Sequence, residues 1–200
     1  SALDAALLTD VAVNYLREHV PENARIHSVI TDGGAAPNVV PDRAELWYYV
    51  RGRNREQVDA LRERLIRCAR GATIATETRY RTTVETCITE RLRNAPLAEM
   101  LDAVLRRCRA PAFTDAEQRA GKKLSGGKGK GYETEIKPPA EDAGRASSDE
   151  DNVSWFAPLT GLSTACVPPG IVGHHRDYAG AVRAPGAHRA MLKAAEILAA

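Results

Sequence analysis

Between Arg25 and Arg51 the chain reads RIHSVITDGGAAPNVVPDRAELWYYVR, and this segment constrains the fold more than any other. Two runs rich in β-branched and aromatic residues flank a loop punctuated by glycine and proline. In the first, Ile26, Ser28 and Ile30 face one way and His27, Val29 and Thr31 the other. In the second, Ala44, Leu46, Tyr48 and Val50 share one face and Glu45, Trp47, Tyr49 and Arg51 its opposite. The link, Asp32 to Asp42, is too long for a tight hairpin, and Gly33, Gly34, Pro37 and Pro41 set its path. A loop held between two strands is well placed to present polar groups to a ligand. Asn38 offers an amide donor and Arg51 a planar fork suited to a carboxylate. On pattern alone, a surface loop beside a solvated edge arginine accounts for the same residues.

The elements around this segment suggest a known unit. Ser1 to Val20 reads as an amphipathic helix, with Ser1 and Asp4 at capping-box spacing and an apolar stripe of Leu3, Leu7, Leu8, Val11, Ala12, Tyr15 and Leu16. Asn54 or Arg55 to Arg70 reads as a second helix, with Val58, Leu61, Leu65 and Ala69 inward and Gly71 as its C-terminal cap. Ala72 to Thr86 alternates as a long strand. The order helix, strand, strand, helix, strand is one strand short of a ferredoxin-like β-α-β-β-α-β unit. The chain opens at Ser1, without methionine, directly on a helix cap. The expectation is therefore the C-terminal part of a longer protein, with the first strand upstream and the sheet weakened without it.

From Thr89 the pattern changes. Pro96 to Cys108 is expected to be helical, and Asp115 to Ala120 a further short turn of helix. Gly121 to Ala146 has no hydrophobic period and reads as a mobile loop. Its GKKLSGGKGKG invites a phosphate-loop reading but lacks the lysine-then-Ser/Thr ending and the preceding buried strand. In Ser147 to Leu159, the acidic Asp149, Glu150 and Asp151 fit a solvated helix N-terminus. Ser163 to Val167 is expected as a short buried strand. Gly170 to Asp177 (GIVGHHRD) is a loop, and Ala184 or Pro185 to Ala200 the last helix. His174 and His175 are candidate metal ligands, since neutral imidazole in a glycine-flanked loop commonly binds zinc or manganese.

Composition narrows the function classes. The net charge of +2 gives no electrostatic case for nucleic acid or an acidic membrane surface. No apolar run approaches the roughly 18 residues of a membrane span. Cys68, Cys87, Cys108 and Cys166 are widely spaced, without a C-x-x-C pair, and read as reduced thiols of a cytoplasmic protein.

The Arg25–Arg51 segment, with Ser147–Trp155 and the AHRAM sequence at Ala187–Met191, resembles the C-terminal half of the two-metal amidohydrolase and peptidase family, and within it the hydrolases of p-aminobenzoyl-glutamate. SSDEDNVSW is similar to the family's S-T-D-V-G-D-V-S-W, with Asp151 and Asn152 replacing Gly-Asp. The resemblance implies an α/β protein with a lid and dimerisation domain of ferredoxin-like fold over 1–88. The closing part of an α/β catalytic domain would follow over 89–200, with the flexible loop at 121–146. It implies that Asn38 and Arg51 bind the substrate carboxylate. Counting back from AHRAM, His174 aligns with the family's last metal ligand and His175 is the alternative register. His188 takes a structural or capping role, His27 has no counterpart, and His19 is a surface residue near a helix C-terminus.

The resemblance further implies two divalent metals (zinc, manganese or cobalt) per complete site, a small N-acyl amino acid as substrate, and a homodimer or paired subunit joined through the lid. The family's general base, bridging aspartate and first metal motif precede the position of Ser1, so no catalytic base is identified and the 200 residues alone are expected to be inactive. Two alternatives stay open: a non-catalytic dimerisation and carboxylate-binding subunit of a hydrolase complex, and an unrelated small-molecule-binding α+β domain.

Overall fold

The computed structural model describes residues 1–127, 131–140 and 147–200. They fall into two compact units: Ser1–Arg91 with Ser147–Asn152, and Leu92–Ala146 with Val153–Ala200. Regular structure among the described residues is mainly helix, with one small antiparallel sheet of two strands.

In the first unit, α1 (Ala2–Arg17) starts where the capping pattern puts it. The Ser1 hydroxyl accepts a hydrogen bond from the Asp4 N–H at 3.3 Å, satisfying one of the first-turn donors. The face it buries is not the leucine stripe. Ala5, Ala6, Thr9 and Val13 are inside, and small side chains let the backbones come close. Leu7, Leu8, Val11 and Tyr15 stand 44–70% exposed. α1 therefore has a second apolar face that periodicity alone does not distinguish from the packed one.

β1 (Arg25–Asp32) pairs antiparallel with β2 (Glu45–Arg51), Arg25 opposite Arg51, Val29 opposite Trp47 and Ile30 opposite Leu46, with an irregularity between Ile30 and Asp32. On one side of this ribbon Ile26 is buried and Tyr48 half-buried. The Ser28 and Tyr48 hydroxyls both donate to Asp10 Oδ1 of α1, at 2.8 and 3.1 Å, tying the helix to the sheet. Burial first, and then the Asp10 carboxylate, push the Tyr48 phenol well above its ordinary value.

α2 (Arg55–Ala75) is capped by the Asn54 side chain, which accepts from the Gln57 N–H at 3.0 Å, and it buries Leu61. It runs past Gly71, which lies inside the helix rather than at its cap. The end comes at Glu77, in the left-handed region at φ +53°, with Thr78 N–H bonded to Thr73 O and Glu77 N–H to Ile74 O, the paired bonds of a Schellman ending. The expected strand at Ala72–Thr86 is absent: its first four residues finish α2 and the rest joins no ladder. In ferredoxin-like order the last strand pairs with the one before the first helix, and no strand precedes α1 in these 200 residues.

Ser147–Asn152 packs within this same unit. Asn152 Oδ1 accepts from the Thr89 N–H (2.8 Å) and hydroxyl (2.7 Å), and its amide donates to Cys87 O at 3.1 Å. Arg91 pairs with Glu150 and, through Nε, with Asp151 Oδ1 at 2.6 Å. Asp151 is only 6% exposed, whereas Asp149 and Glu150 are exposed, so the reading of a solvated helix start fails at Asp151 alone. Asp151 and Asn152, together with Glu150, thus hold residues 87–91.

The second unit is helical among its described residues. α3 (Ala95–Cys108) is capped by Asn94, and α4 (Asp115–Leu124) by a complete capping box of Thr114 and Glu117. α5 (Glu150–Val153) is a single turn at which the chain passes into this unit. α6 (Arg176–Ala181) and α7 (Pro185–Ala199) complete it. No side chain caps α7, so His188 has no capping role there. Ser163–Val167 forms no strand: Cys166 N–H bonds to Thr164 O two residues back, and no neighbouring strand is available among the described residues.

The loop expected at 121–146 is only partly outside regular structure. Residues 121–124 are the last turn of α4, while 128–130 and 141–146 lie outside the described residues. Tyr132 is buried (4% exposed), stacked on Phe113 with ring centroids 4.6 Å apart. Gln118 clasps its backbone twice, accepting from Tyr132 N–H at 2.7 Å and donating to Tyr132 O at 3.1 Å. Gly121 of α4 and Gly186 of α7 make room for the ring.

Glu117 also pairs with Arg189 of α7, at 3.0 and 3.1 Å. The Thr114 amide, with help from Arg189, holds its carboxyl below the ordinary value. A depressed carboxyl contributes stability above its unfolded pKa and loses it as pH falls through the folded one. Glu117→Gln is therefore expected to lower the midpoint of thermal unfolding at neutral pH, and the gap to the parent chain should close as pH falls through the acid range in which this carboxyl protonates.

Candidate carboxylate-binding face

The side of the ribbon turned away from α1 carries Arg25, His27, Val29 and Thr31 from β1 and Glu45, Trp47, Tyr49 and Arg51 from β2, because side chains alternate along a strand. Val29, Trp47 and Tyr49 are 51%, 45% and 49% exposed, so this face is open rather than core. Trp47 and Tyr49 pack edge to face, centroids 5.3 Å apart and planes at 62°.

Register places two guanidiniums opposite each other at one end of this face, Arg25 against Arg51. Like charges directly across a ladder repel. Arg25 turns away, its Nη1 donating to Glu22 O at 2.5 Å and Ala24 O at 2.6 Å. Arg51 is exposed and forms no ion pair among the described residues. Glu45, the acid on this face, is engaged at the other end by the Thr31 hydroxyl (2.8 Å) and Arg43 (2.8 Å), which hold its carboxyl below the ordinary value. What remains at Arg51 is an uncompensated planar cation on the face that also carries Tyr49 and Trp47, suited to a carboxylate joined to an apolar group.

Asn38 lies in the exposed loop between the strands. The loop is braced by Ala2 N–H on Pro41 O at 3.0 Å, by the turn Val39 N–H to Ala36 O, and by Gly34 at φ +107° against Pro41. The ladder puts this loop and Arg51 at opposite ends of the ribbon, about 20 Å apart over the six steps from Glu45 at 3.4 Å per residue. One ribbon does not bring the two side chains to a common end. His27 is exposed opposite Tyr49 and pairs with no carboxylate among the described residues.

The histidine pair belongs to the second unit. His174 is exposed and sits in the left-handed region at φ +61°. His175 is the N-cap of α6: its Nδ1 accepts from the Asp177 N–H at 3.2 Å, leaving Nε2 as its outward nitrogen. The second half of the expected loop is thus the start of a helix. Among the described residues no three His, Cys, Asp or Glu side chains gather as a metal site requires. The donors present therefore do not by themselves fit the two-metal centre that the resemblance implies. No helix among the described residues is long and apolar enough to cross a membrane.

No family model matches the chain. The chain is 29% identical to one subunit of the p-aminobenzoyl-glutamate hydrolase of Escherichia coli over an alignment of 231 residues, covering 100% of the chain and 48% of that protein. It is 36% identical over 76 residues to Xaa-Arg dipeptidase of Mus musculus, and 33% over 75 residues to that of Homo sapiens. Each of these alignments takes in 38% of the chain, and 18% and 17% of the respective relatives. The chain thus spans about half the length, or less, of the curated relatives it matches. By sequence it is a homologue of this p-aminobenzoyl-glutamate hydrolase polypeptide and of the Xaa-Arg dipeptidases.

Proposed function

We propose that the chain is the carboxylate-reading part of an amidohydrolase that cleaves N-acyl amino acids such as p-aminobenzoyl-glutamate. The observation that carries this reading is Arg51, an exposed guanidinium without an ion-pair partner among the described residues, in a chain homologous along its whole length to a hydrolase polypeptide. Arg51 anchors the free carboxylate of the substrate, which fixes the scissile amide relative to the rest of the site. Asn38 is the second contact. Its place at the other end of the ribbon favours two copies, Arg51 of one and Asn38 of another meeting on one carboxylate. The exposed Leu7, Leu8, Val11 and Tyr15 of α1 supply apolar surface for such pairing. The helix, strand, strand, helix order supports a ferredoxin-like lid over 1–88, ahead of catalytic-domain residues 89–200.

His174 would provide one metal ligand, its side chain being open where His175 Nδ1 is engaged by the α6 cap. Zinc, manganese or cobalt would supply Lewis-acid activation of water when bound. The described residues do not complete that donor set, so no step is derived through it. Four cysteines without a disulfide support a reducing compartment, the cytoplasm.

A second reading, a non-catalytic subunit that binds the carboxylate and pairs with a catalytic one, is favoured by the word "subunit" in the relative's name. One comparison separates the two. The 200-residue chain and the polypeptide that also carries whatever is encoded before Ser1 are each assayed for release of p-aminobenzoate with zinc, manganese or cobalt. The amidohydrolase reading expects release by the longer polypeptide and none by the chain alone. Release by neither sinks it in favour of the non-catalytic reading, and release by the chain alone contradicts the inactivity expected of these 200 residues.

A further inference from the structure

We propose that Tyr49 and Trp47 form an aromatic platform for the ligand whose carboxylate Arg51 holds, so that the open face of the sheet selects N-aroyl over N-alkanoyl amino acids. The inference rests on the Arg51 clamp. Arg51, Tyr49 and Trp47 are successive same-face positions of β2, each step about 7 Å. The carboxylate and the ring of an N-benzoyl amino acid lie about one such step apart. Side chains standing off one face keep about that spacing, so the ring of an acid held on the Arg51 fork falls at the level of Tyr49, whose own ring has Trp47 edge-on at 5.3 Å. Both rings are about half exposed, so they offer faces to a ligand without first leaving a core.

Charge selects the same occupant. The cation at this end is uncompensated, because Arg25 is turned onto backbone carbonyls and Glu45 is engaged by Thr31 and Arg43. A purely apolar partner would leave Arg51 desolvated and unpaired. An aliphatic carboxylate would leave the rings uncovered. An aromatic carboxylate satisfies both, and offset or edge-to-face ring contact adds a preference of up to about tenfold.

The test uses the 200-residue chain with N-benzoylglycine, N-acetylglycine and benzamide as probes, followed by chemical-shift titration. Tyr49→Thr, Trp47→Thr and Arg51→Gln keep strand-compatible side chains on an exposed face, and the cross-strand amide pattern of β1–β2 verifies that each variant is folded. N-Benzoylglycine is expected to bind about tenfold more tightly than N-acetylglycine, and benzamide hardly at all. Tyr49→Thr should remove most of that preference while leaving N-acetylglycine unchanged, Trp47→Thr should reduce it, and Arg51→Gln should weaken both acids. Equal affinity for the two acids, both lost in Arg51→Gln, overturns the platform and leaves the clamp standing. Acid binding insensitive to Arg51→Gln, or none at all, overturns the clamp and the platform with it.

Discussion

Tyr132→Ala is expected to destabilise the second unit by about 3–5 kcal/mol, the cost of emptying a buried aromatic site that cannot collapse. The ring is 4% exposed, stacked on Phe113 and seated against two glycines on different helices, Gly121 and Gly186. Burial is the main influence raising its phenol above the ordinary value, with the Glu117 carboxylate adding to it. Because the slot is built from glycines, the opposite change should also hurt. A Cβ on Gly186 would lie 2.5 Å from the ring carbon Cε2, so Gly186→Ala forces the ring or the helix to move and should cost about 1–3 kcal/mol. Denaturant unfolding followed by near-ultraviolet circular dichroism reads both. Tyr132→Phe, which keeps the stack, should lose much less than Tyr132→Ala. Equal losses for Phe and Ala would place the stabilisation in the hydroxyl instead.

On the proposed reading, Arg51→Lys in a p-aminobenzoyl-glutamate-cleaving polypeptide that includes these 200 residues is expected to raise KM by about ten- to a hundredfold with kcat little changed. A lysine keeps the charge but not the planar fork, so it loses the two-point grip on a carboxylate. Because the carboxylate keeps its charge and its bonds while the amide is cleaved, its contact with Arg51 is made alike in the ground and transition states, and such loss appears in KM. Steady-state kinetics on the purified variant decides it. An unchanged KM removes Arg51 from the substrate site, and a fall confined to kcat would make it a participant in the chemical step.

The local elements were legible because their signals are local. Ser1 before Asp4, the apolar spacing after Arg55 and the alternation of Ile26–Thr31 and Ala44–Arg51 each involve residues within a few turns or a strand, and α1, β1, β2 and the start of α2 follow from them. The failures have a common physical form. The strand expected at Ala72–Thr86 alternates correctly, but a strand exists only with a neighbour, and this segment joins neither edge of the β1–β2 ribbon. The apolar stripe of α1 was visible, yet Ala5, Ala6, Thr9 and Val13 do the packing, because closeness of approach rather than hydrophobicity selects the contact face. Tyr132 was hidden in a glycine- and lysine-rich run, its partners Phe113 and Gly186 far along the chain. Asp151 looked like solvated acid because Arg91, its partner, is sixty residues away. At the candidate site, the resemblance singled out Arg51 and Asn38, but only the ladder reveals that they occupy opposite ends, and only the register brings Tyr49 and Trp47 onto the Arg51 face.

The most direct test of the account is the Arg51 side chain itself, observed by its Nε–H resonance in the nitrogen-labelled chain. Titration with N-benzoylglycine should shift that resonance saturably, whereas the methyl ester of the same compound, with the carboxylate masked, should leave it in place. An equal response to acid and ester, or a response at other arginines with none at Arg51, contradicts the claim that this face reads a carboxylate.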